Sequence, residues 1–570
     1  MLDKTAHPAP RDRRQTLVDR SGPRRGRGLR LAALCCVGSL WLAACTSSTG
    51  SDSGATTGGQ TVEEVVVAVP ALTPTLTWDG GGGLSLEAYE LNANFHAGLV
   101  RNPYVEGDTP GTLMQDFNEY EGYLAESYDV SDDGLTYTFH LRPDLISSAG
   151  NPFTADDVLW SIERKWNTPT YARGTFAPAL TDLNQMQKID DHTVAFTLSQ
   201  PGLGFNFLGL LANMQGSIYD TTVLRENATP EDPYAVEWSK TNSGWGMGAY
   251  SVETWTPDQE MVLVANPNYV FGEPAVKRVF LRVVPDAGTR ASMVISGDVH
   301  IAEGLRPTDQ AQLATAEGVV VPEVEDPIEY IDMALVTNKA PFDNELVRQA
   351  MALAVPYDEI IEQVYSGRAA RKVGIINPAT RNYSTADLPT HDYDPERAKE
   401  LLAEAGFPDG LSFSLTVSNA VPDVVDAAVM IQSYAADAGF EVTIDRQPVA
   451  SFAQGRFGGT YQSLMYKNRA FVQTPTYAMT VFWEPFTTSA PSRWRNQEFT
   501  DTVNAAIAAG DPLGEEAGEL WAEAMKINLN STPEIFVAAV QPSQAFRESV
   551  GNYTYRSENA IDFASLEITE

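Results

Sequence analysis

The chain has 570 residues, and its 75 acidic side chains against 39 basic ones give it a formal net charge of −36. A protein this acidic is repelled by phosphate backbones and anionic lipid surfaces, which excludes nucleic acid as an expected partner. Its length is too great for a single hydrophobic core, so at least two domains are expected.

Residues 1–44 are predicted to be an export signal. Four arginines between positions 24 and 30 precede an apolar run, Leu31 to Ala44, that is shorter than the ~20 residues of a membrane-spanning helix. The run ends in Leu42-Ala43-Ala44-Cys45, which resembles a bacterial lipobox, and Cys45 would then become the lipidated first residue of the mature protein. An ordinary secretory signal is the alternative, and the export route, Sec or Tat, stays open.

The segment that follows the signal, residues 45–60, is nearly all small or polar and is predicted to be a flexible tether. All three cysteines, Cys35, Cys36 and Cys45, lie at or before its first residue. The folded part would therefore contain no disulfide, no thiol nucleophile and no cysteine-based metal site. Its first predicted strand is Val65 to Val69.

The stretch 124–166 combines a predicted strand with a predicted helix. Apolar and polar residues alternate from Leu135 to Leu141, which is the period of a half-buried strand, and Asp133-Gly134 before them suits a tight turn. Thr154, followed three residues later by Asp157, predicts a capping box that opens a helix.

Later segments are also predicted from local pattern. Strands at 250–255 and 260–263 are expected to pair across a short turn. Pro356 is expected to separate two consecutive helices. Asp394 and Gly406 are expected to cap the two ends of one helix.

Together these segments resemble the extracellular solute-binding proteins of family 5, the peptide- and oligosaccharide-binding receptors of ABC importers. The resemblance rests on LAES…DGLTYTFHLR…PFTADDV within 124–158, on WGMGAYSVETW…NPNY within 245–269, and on PFDNELVRQA at 341–350. It implies an α/β fold with two lobes, the type II periplasmic-binding-protein-like fold, with an extra domain inserted in the first lobe. The implied parts are 61–103, 237–328 and 541–570 for the first lobe, 104–236 for the inserted domain, and 329–540 for the second lobe.

By this resemblance the chain is expected to be a lipid-anchored receptor outside the cytoplasm, at the cell membrane. It would close on a small solute of peptide or oligosaccharide type and deliver it to the permease subunits of an ABC importer, as a monomer without a cofactor. The alternative is a secreted carbohydrate-active hydrolase with paired carboxylates. No such pair is fixed by the sequence, and the five histidines after the signal form no metal-ligand motif, so we predict a binding protein and not an enzyme.

The resemblance also indicates which residues face the solute. Peptide-binding members of the family hold an acidic residue for the peptide's amino terminus in a segment whose counterpart here, 461–483, has no acidic residue. Its aromatic, amide and arginine side chains suit a sugar or a carboxylate-bearing solute, whereas a peptide amine would leave Asp79 as a marked acidic candidate. The predicted solute-binding residues are Trp78, Asp79, Tyr89, Asn92, Trp245, Tyr466, Lys467, Asn468, Arg469, Phe471, Tyr477 and Trp483.

Overall fold

The computed structural model describes residues 63–79, 86–487 and 490–569. The predicted signal peptide, Cys45 and the tether at 45–60 lie outside these ranges. No helix within them is long and apolar enough to cross a membrane.

The strands of the described residues pair into several separate sheets. In chain order they are β1 Glu64–Val69, β2 Val100–Arg101, β3 Tyr104–Glu106, β4 Thr112–Gln115, β5 Glu121–Gly122, β6 Ala125–Val130, β7 Thr136–Leu141, β8 Met186–Asp190, β9 Thr193–Thr197, β10 Tyr250–Thr256, β11 Glu260–Ala265, β12 Arg278–Val283, β13 Ile301–Ala302, β14 Val319–Val320, β15 Tyr330–Leu335, β16 Ala369–Ala370, β17 Leu411–Ser418, β18 Phe440–Gln447, β19 Ser463–Asn468, β20 Glu534–Val540, β21 Ala545–Arg547, β22 Val550–Gly551, β23 Tyr553–Tyr555 and β24 Glu567–Ile568.

The helices lie between and against these strands. In chain order they are α1 Leu86–Phe95, α2 Ala155–Asn167, α3 Ala172–Phe176, α4 Gly204–Ala212, α5 Thr221–Glu226, α6 Val236–Ser239, α7 Ala287–Ser296, α8 Pro307–Leu313, α9 Glu345–Leu353, α10 Tyr357–Glu359, α11 Pro395–Glu404, α12 Pro422–Asp437, α13 Val449–Gly458, α14 Pro475–Val481, α15 Gln497–Ala508 and α16 Glu515–Ser531. Short 3₁₀ turns occupy Leu183–Gln185, Pro201–Leu203 and Met214–Gly216, and a π-helical turn follows α10 at Ile360–Val364.

Two large sheets organise the molecule. The first has seven strands in the order β10-β11-β12-β1-β13-β21-β14, and we call it, with the elements packed on it, the first lobe. The second has six strands in the order β16-β20-β15-β19-β17-β18, and we call it, with its helices, the second lobe. Both sheets mix parallel and antiparallel pairs, since β1 runs parallel to β12 and β17 parallel to β18 and β19.

A four-stranded antiparallel sheet, β6-β7-β9-β8, lies within the segment predicted as the inserted domain. The strands β3 and β4, which fall in the same segment, belong to another sheet, in which β4 pairs with β3 and with β23 near the C-terminus. The predicted domain boundaries therefore stay predictions, although every strand of the second lobe lies within 329–540.

The local predictions for 124–166 are confirmed. Strand β7 buries Tyr137, Phe139 and Leu141 on one face, because side chains alternate along a strand. Gly134 before it has a φ of +69°, as a tight turn requires. At the start of α2 the backbone N–H of Thr154 donates to the Asp157 carboxylate over 2.8 Å.

The later local predictions are confirmed as well. Strands β10 and β11 form an antiparallel hairpin. Pro356 separates α9 from α10, which begins at the next residue. At the N-terminus of α11 the Asp394 side chain accepts from the Arg397 N–H over 3.0 Å, and Gly406 beyond the other end has a φ of +95°.

The largest hydrophobic cluster joins the inserted domain to the second lobe. It contains Phe207 of α4 together with Tyr477 of α14 and Phe499 of α15, and it reaches Tyr89 of α1 in the first lobe. Aromatic side chains from these parts thus meet at the junction of the lobes.

Candidate functional site

The end of β19 brings the predicted residues of the second lobe to this junction. In its pairing with β15, Tyr466 lies opposite Asp332, and Asn468 lies opposite Tyr330. Because directly opposed residues of an antiparallel pair share a face, these four side chains lie on one side of the sheet and Lys467 on the other.

Lys467 and Arg469 have acidic partners from other parts of the chain. The Lys467 ammonium lies 2.8 Å from Asp423 and 3.5 Å from Glu329. Burial opposes its charge, but these two carboxylates hold the pKa of Lys467 above its ordinary value. The guanidinium of Arg469 pairs with Glu329 and donates to the Glu558 carbonyl over 2.7 Å. The acidic charge missing from 461–483 is therefore supplied by sequence-distant residues.

Direct contact between the lobes involves two of the predicted aromatic residues. The rings of Tyr89 and Phe471 meet edge to face with centroids 4.9 Å apart. Asn213 also holds the Phe471 backbone at this contact. Its side-chain amide donates to the Phe471 carbonyl over 3.0 Å and to the Glu558 carboxylate over 2.5 Å. The loop after β19 is thus held against α1 of the first lobe.

A pocket of about 30 Å³ lies beside this contact, and its wall includes Tyr89, Asn92, His96, Asn213, Arg556 and Glu558. Both ring nitrogens of His96 and the side-chain oxygen of Asn92 are buried and have no hydrogen-bond partner among the residues that the structure describes. Burial lowers the pKa of His96 to about 3, so its ring is neutral. A water molecule or one polar group of a solute fits this space and satisfies these atoms.

Arg456 is a cation at the junction that the sequence did not indicate. It is half-buried on α13, with its guanidinium carbon 4.0 Å from the ring centre of Tyr466. Among the described residues it forms no ion pair. Burial raises the pKa of Tyr89 to about 12 and that of Tyr171 above its ordinary value, and the charge of Arg456 opposes both shifts. No local pattern marks Arg456, because its neighbours come from three distant parts of the chain.

Two carboxyl groups, those of Asp332 and Glu534, lie near the hydroxyl of Tyr466. Asp332 accepts from the hydroxyl of Tyr466 and from the amide of Asn468, each over 3.3 Å. Burial raises the pKa of Asp332 to about 6, and burial with the neighbouring Asp332 raises the pKa of Glu534 well above its ordinary value. Both shifts favour the protonated form of this carboxyl pair.

Asp79 and Trp245 lie in the interior, away from this contact. The Asp79 carboxylate is 3.0 Å from Arg164, with both side chains fully buried, and accepts from the Tyr219 hydroxyl over 3.1 Å. Trp245 is fully buried, with its ring centroid 5.1 Å from that of Tyr219. The geometry gives both residues a structural role in holding α2 against the first lobe.

Trp78, Tyr477 and Trp483 are buried too. Trp483 packs edge to face on Trp494 and Phe499, with centroids 6.0 and 6.1 Å away, inside the second lobe. The hydroxyl of Tyr477, in the second lobe, forms a hydrogen bond with that of Tyr171, in the segment predicted as the inserted domain. The structure thus brings Tyr89, Asn92, Lys467, Arg469 and Phe471 together and leaves the tryptophans in cores.

Nothing in the described part of the chain forms a metal site. In those ranges no three histidine, cysteine, aspartate or glutamate side chains stand close enough to hold an ion.

Comparisons with known proteins give this geometry a context. The family model described as bacterial extracellular solute-binding proteins, family 5 middle, matches residues 119–490. The heme-binding protein A of Haemophilus influenzae is 30% identical over 457 residues, covering 74% of this chain and 79% of the relative. The dipeptide-binding protein of Escherichia coli is 26% identical over 455 residues, covering 75% and 83%.

Solved structures agree on the fold. The ABC transporter-associated periplasmic binding protein from Helicobacter pylori, in complex with the peptide STSA, superposes with a TM-score of 0.76. It is 24% identical and covers 89% of this chain and 98% of its own. The expected two-lobed type II periplasmic-binding-protein-like fold is confirmed.

Proposed function

Because the chain belongs to the bacterial extracellular solute-binding proteins of family 5, which are transport receptors and not enzymes, we propose that it binds a small organic solute carrying a carboxylate. A short peptide is the first class to test, since the Escherichia coli relative is named for dipeptides. An acidic oligosaccharide is the second, because Tyr89 and Phe471 offer aromatic faces at the lobe junction.

The proposal is supported above all by the guanidinium of Arg456, which lies among aromatic rings and forms no ion pair within the described part of the chain. A half-buried cation that forms no ion pair with the described residues has lost part of its hydration. A solute carboxylate compensates this loss through charge-assisted, often bidentate hydrogen bonds. Arg469 differs, since Glu329 already neutralises it. Arg456 is therefore the better anchor, and Arg469 with Lys467 shapes the wall of the site.

Solute entry requires the lobes to separate. With Tyr89 against Phe471, the adjoining pocket holds about 30 Å³. Small-molecule sites measure roughly 300–1,000 Å³. The receptor therefore opens to admit its solute and closes on it, with Asn92, Tyr466, Asn468 and Tyr477 completing the wall.

Anchoring and delivery complete the proposal. Lipidation at Cys45 would hold the monomer at the outer side of the cell membrane, and residues 45–60 would tether it. The closed receptor then docks on the permease subunits of an ABC importer, with hinge crossings near 328 and 540.

The substitution Arg456→Met tests the anchor. The solute that co-purifies with the protein is released, identified by mass spectrometry and titrated back by calorimetry. We expect Arg456→Met to weaken binding by about tenfold or more, since hydrogen bonds to charged groups contribute about 1.5–3 kcal/mol. Arg446→Met removes an exposed arginine of β18 and should leave affinity unchanged. Equal affinity of the wild type and Arg456→Met would remove Arg456 from the site.

A further inference from the structure

A second and larger pocket lies within the second lobe, at the side of β20. It holds about 160 Å³ and is bounded by β20, by the start of α10, by the end of α16 and by the segment 371–392. None of its lining residues belongs to the Tyr89–Phe471 contact, and one of them, Glu534, also neighbours Asp332 and, at longer range, Arg456. A protein cavity of about 150 Å³ accepts a benzene molecule, so this pocket has room for a solute of that size.

The charges around this pocket are mostly compensated. Arg371 lies 2.8 Å from Asp358 and 3.0 Å from Asp392. Lys372 differs, because in the described ranges no carboxylate lies within ion-pair distance of its ammonium group. The nearest electrostatic support comes from Asp326, and the ammonium lies 5.4 Å from the ring centre of Tyr330.

Lys372 nevertheless keeps its charge near neutral pH. Burial lowers the pKa of Lys372 to about 8, and Asp326 only partly offsets this. At pH 7 most molecules therefore hold an ammonium that has lost hydration and has gained no ionic partner. Such a group favours an anion that enters the pocket.

The remaining lining residues indicate which chemical groups the rest of that anion carries. His391 donates a hydrogen bond to the Leu529 carbonyl, and its Nε2 is buried with no partner in the described ranges. Burial lowers the pKa of His391 and raises that of Glu534 well above its ordinary value, and both shifts favour the neutral form. The walls contributed by Tyr357, Ile535 and Phe536 are apolar or aromatic.

We propose that this pocket is a second binding site, specific for small monocarboxylates with an apolar body of about benzene size, and that Lys372 binds their carboxylate. The pocket is a different cavity from the one beside the Tyr89–Phe471 contact, and the proposal does not rest on the proposed function. Its ligand is smaller than a peptide and lies wholly within the second lobe.

Benzoate is the probe, titrated into the purified protein by calorimetry at pH 7. We expect one benzoate per chain, and Lys372→Met should weaken it by about tenfold or more because the charge is lost while the chain length is kept. Lys526→Met, at an exposed lysine of α16, is the matched control and should bind as the wild type does. The neutral isostere benzamide should bind more weakly than benzoate.

Several outcomes overturn the proposal. One is that the wild type binds no benzoate at all in the titration. Another is that Lys372→Met and the wild type bind benzoate with equal affinity, and a third is that the wild type binds benzamide as tightly as benzoate. Loss of benzoate in Arg456→Met with retention in Lys372→Met would place the probe between the lobes instead. Should Lys372→Met fail to fold, the wild type alone decides: its benzoate affinity should fall above about pH 8, and a constant affinity to pH 9.5 contradicts the role of Lys372.

Discussion

Asp79 lies with its carboxylate 3.0 Å from Arg164, and neither side chain is exposed to solvent. Burial alone would favour the neutral acid, but the charges of Arg164 and Lys165 hold the pKa of Asp79 below its ordinary value. Thr77 and Tyr219 donate hydrogen bonds to the same carboxylate. The acidic residue that the sequence offered for a peptide amine is therefore already fully engaged.

Replacement of Asp79 by asparagine should lower the free energy of unfolding by about 3–5 kcal/mol, because it leaves the Arg164 charge buried and uncompensated. Urea unfolding measures this. Asp156→Asn is the control on the same helix as Arg164, and its exposed ion pair with Lys188 should contribute about 1 kcal/mol or less. Unchanged stability of Asp79→Asn together with lost solute binding would instead make Asp79 a solute ligand.

At the scale of elements, the strands β15 and β20 place two carboxyl groups side by side. Asp332 and Glu534 are both buried on the face that carries Tyr466. The groups facing this pair are Tyr330, Tyr466, Asn468, Ser492 and, at longer range, Arg456. In the folded state the pair binds a proton more tightly than in the unfolded state, because burial disfavours two negative charges there.

Because of this carboxyl pair, we expect the free energy of unfolding to depend on pH. The pKa of Asp332 is about 6 when folded and near 3.8 when unfolded, so its contribution is fully present below pH 3.8 and is lost as the pH rises through 6. The free energy of unfolding of the wild type should therefore fall relative to Asp332→Asn between pH 4 and 7, by an amount on the order of a few kcal/mol. Urea unfolding at several pH values measures the difference, and parallel curves would contradict it.

Elements were predictable where their determinants are local. The Thr154–Asp157 box, the Asp394 cap and the turn at Gly134 each depend on residues within four positions, so a single sequence contains them. The site was predictable only in part. Glu329 is 140 residues from its partner Arg469, and one sequence does not show that the fold joins them.

The same limit explains Arg456. Its helix α13 carries no cap or motif that marks function, and the aromatic residues around it come from α1, from the segment before α3 and from β19. Tertiary packing alone assembles this group. The family resemblance pointed to the loop after β19 as part of the site, which stays a prediction, whereas the charge balance inside that loop could be read only from the structure.

At the scale of the whole molecule, the inserted domain packs closely on the second lobe. Gly202, in the 3₁₀ turn before α4, lies so near α15 that a Cβ atom there would stand 1.6 Å from the Ile507 carbonyl oxygen. Nearby, the Thr474 hydroxyl donates to the Asn206 side-chain oxygen over 2.7 Å. The two parts of the chain therefore approach each other here at backbone level.

Gly202→Ala should therefore force the two parts to separate and lower the free energy of unfolding by about 1–3 kcal/mol, as overpacking does. Gly174→Ala on α3 is the matched control, because a Cβ there meets no atom within 4 Å, and it should change stability by about 0.5 kcal/mol or less. Urea unfolding compares the two, and small-angle scattering should show a larger radius of gyration for Gly202→Ala alone. Identical behaviour of both variants would show that this contact does not set the lobe arrangement.

Native mass spectrometry of the purified protein, followed by denaturing analysis of what it releases, tests whether the receptor encloses one carboxylate-bearing solute between its lobes. We predict one non-covalent solute per chain that carries a carboxylate, and we predict its loss from Arg456→Met but not from Arg446→Met. A bound solute without a carboxylate, or equal retention of the solute by both variants, would show that Arg456 does not hold a solute carboxylate.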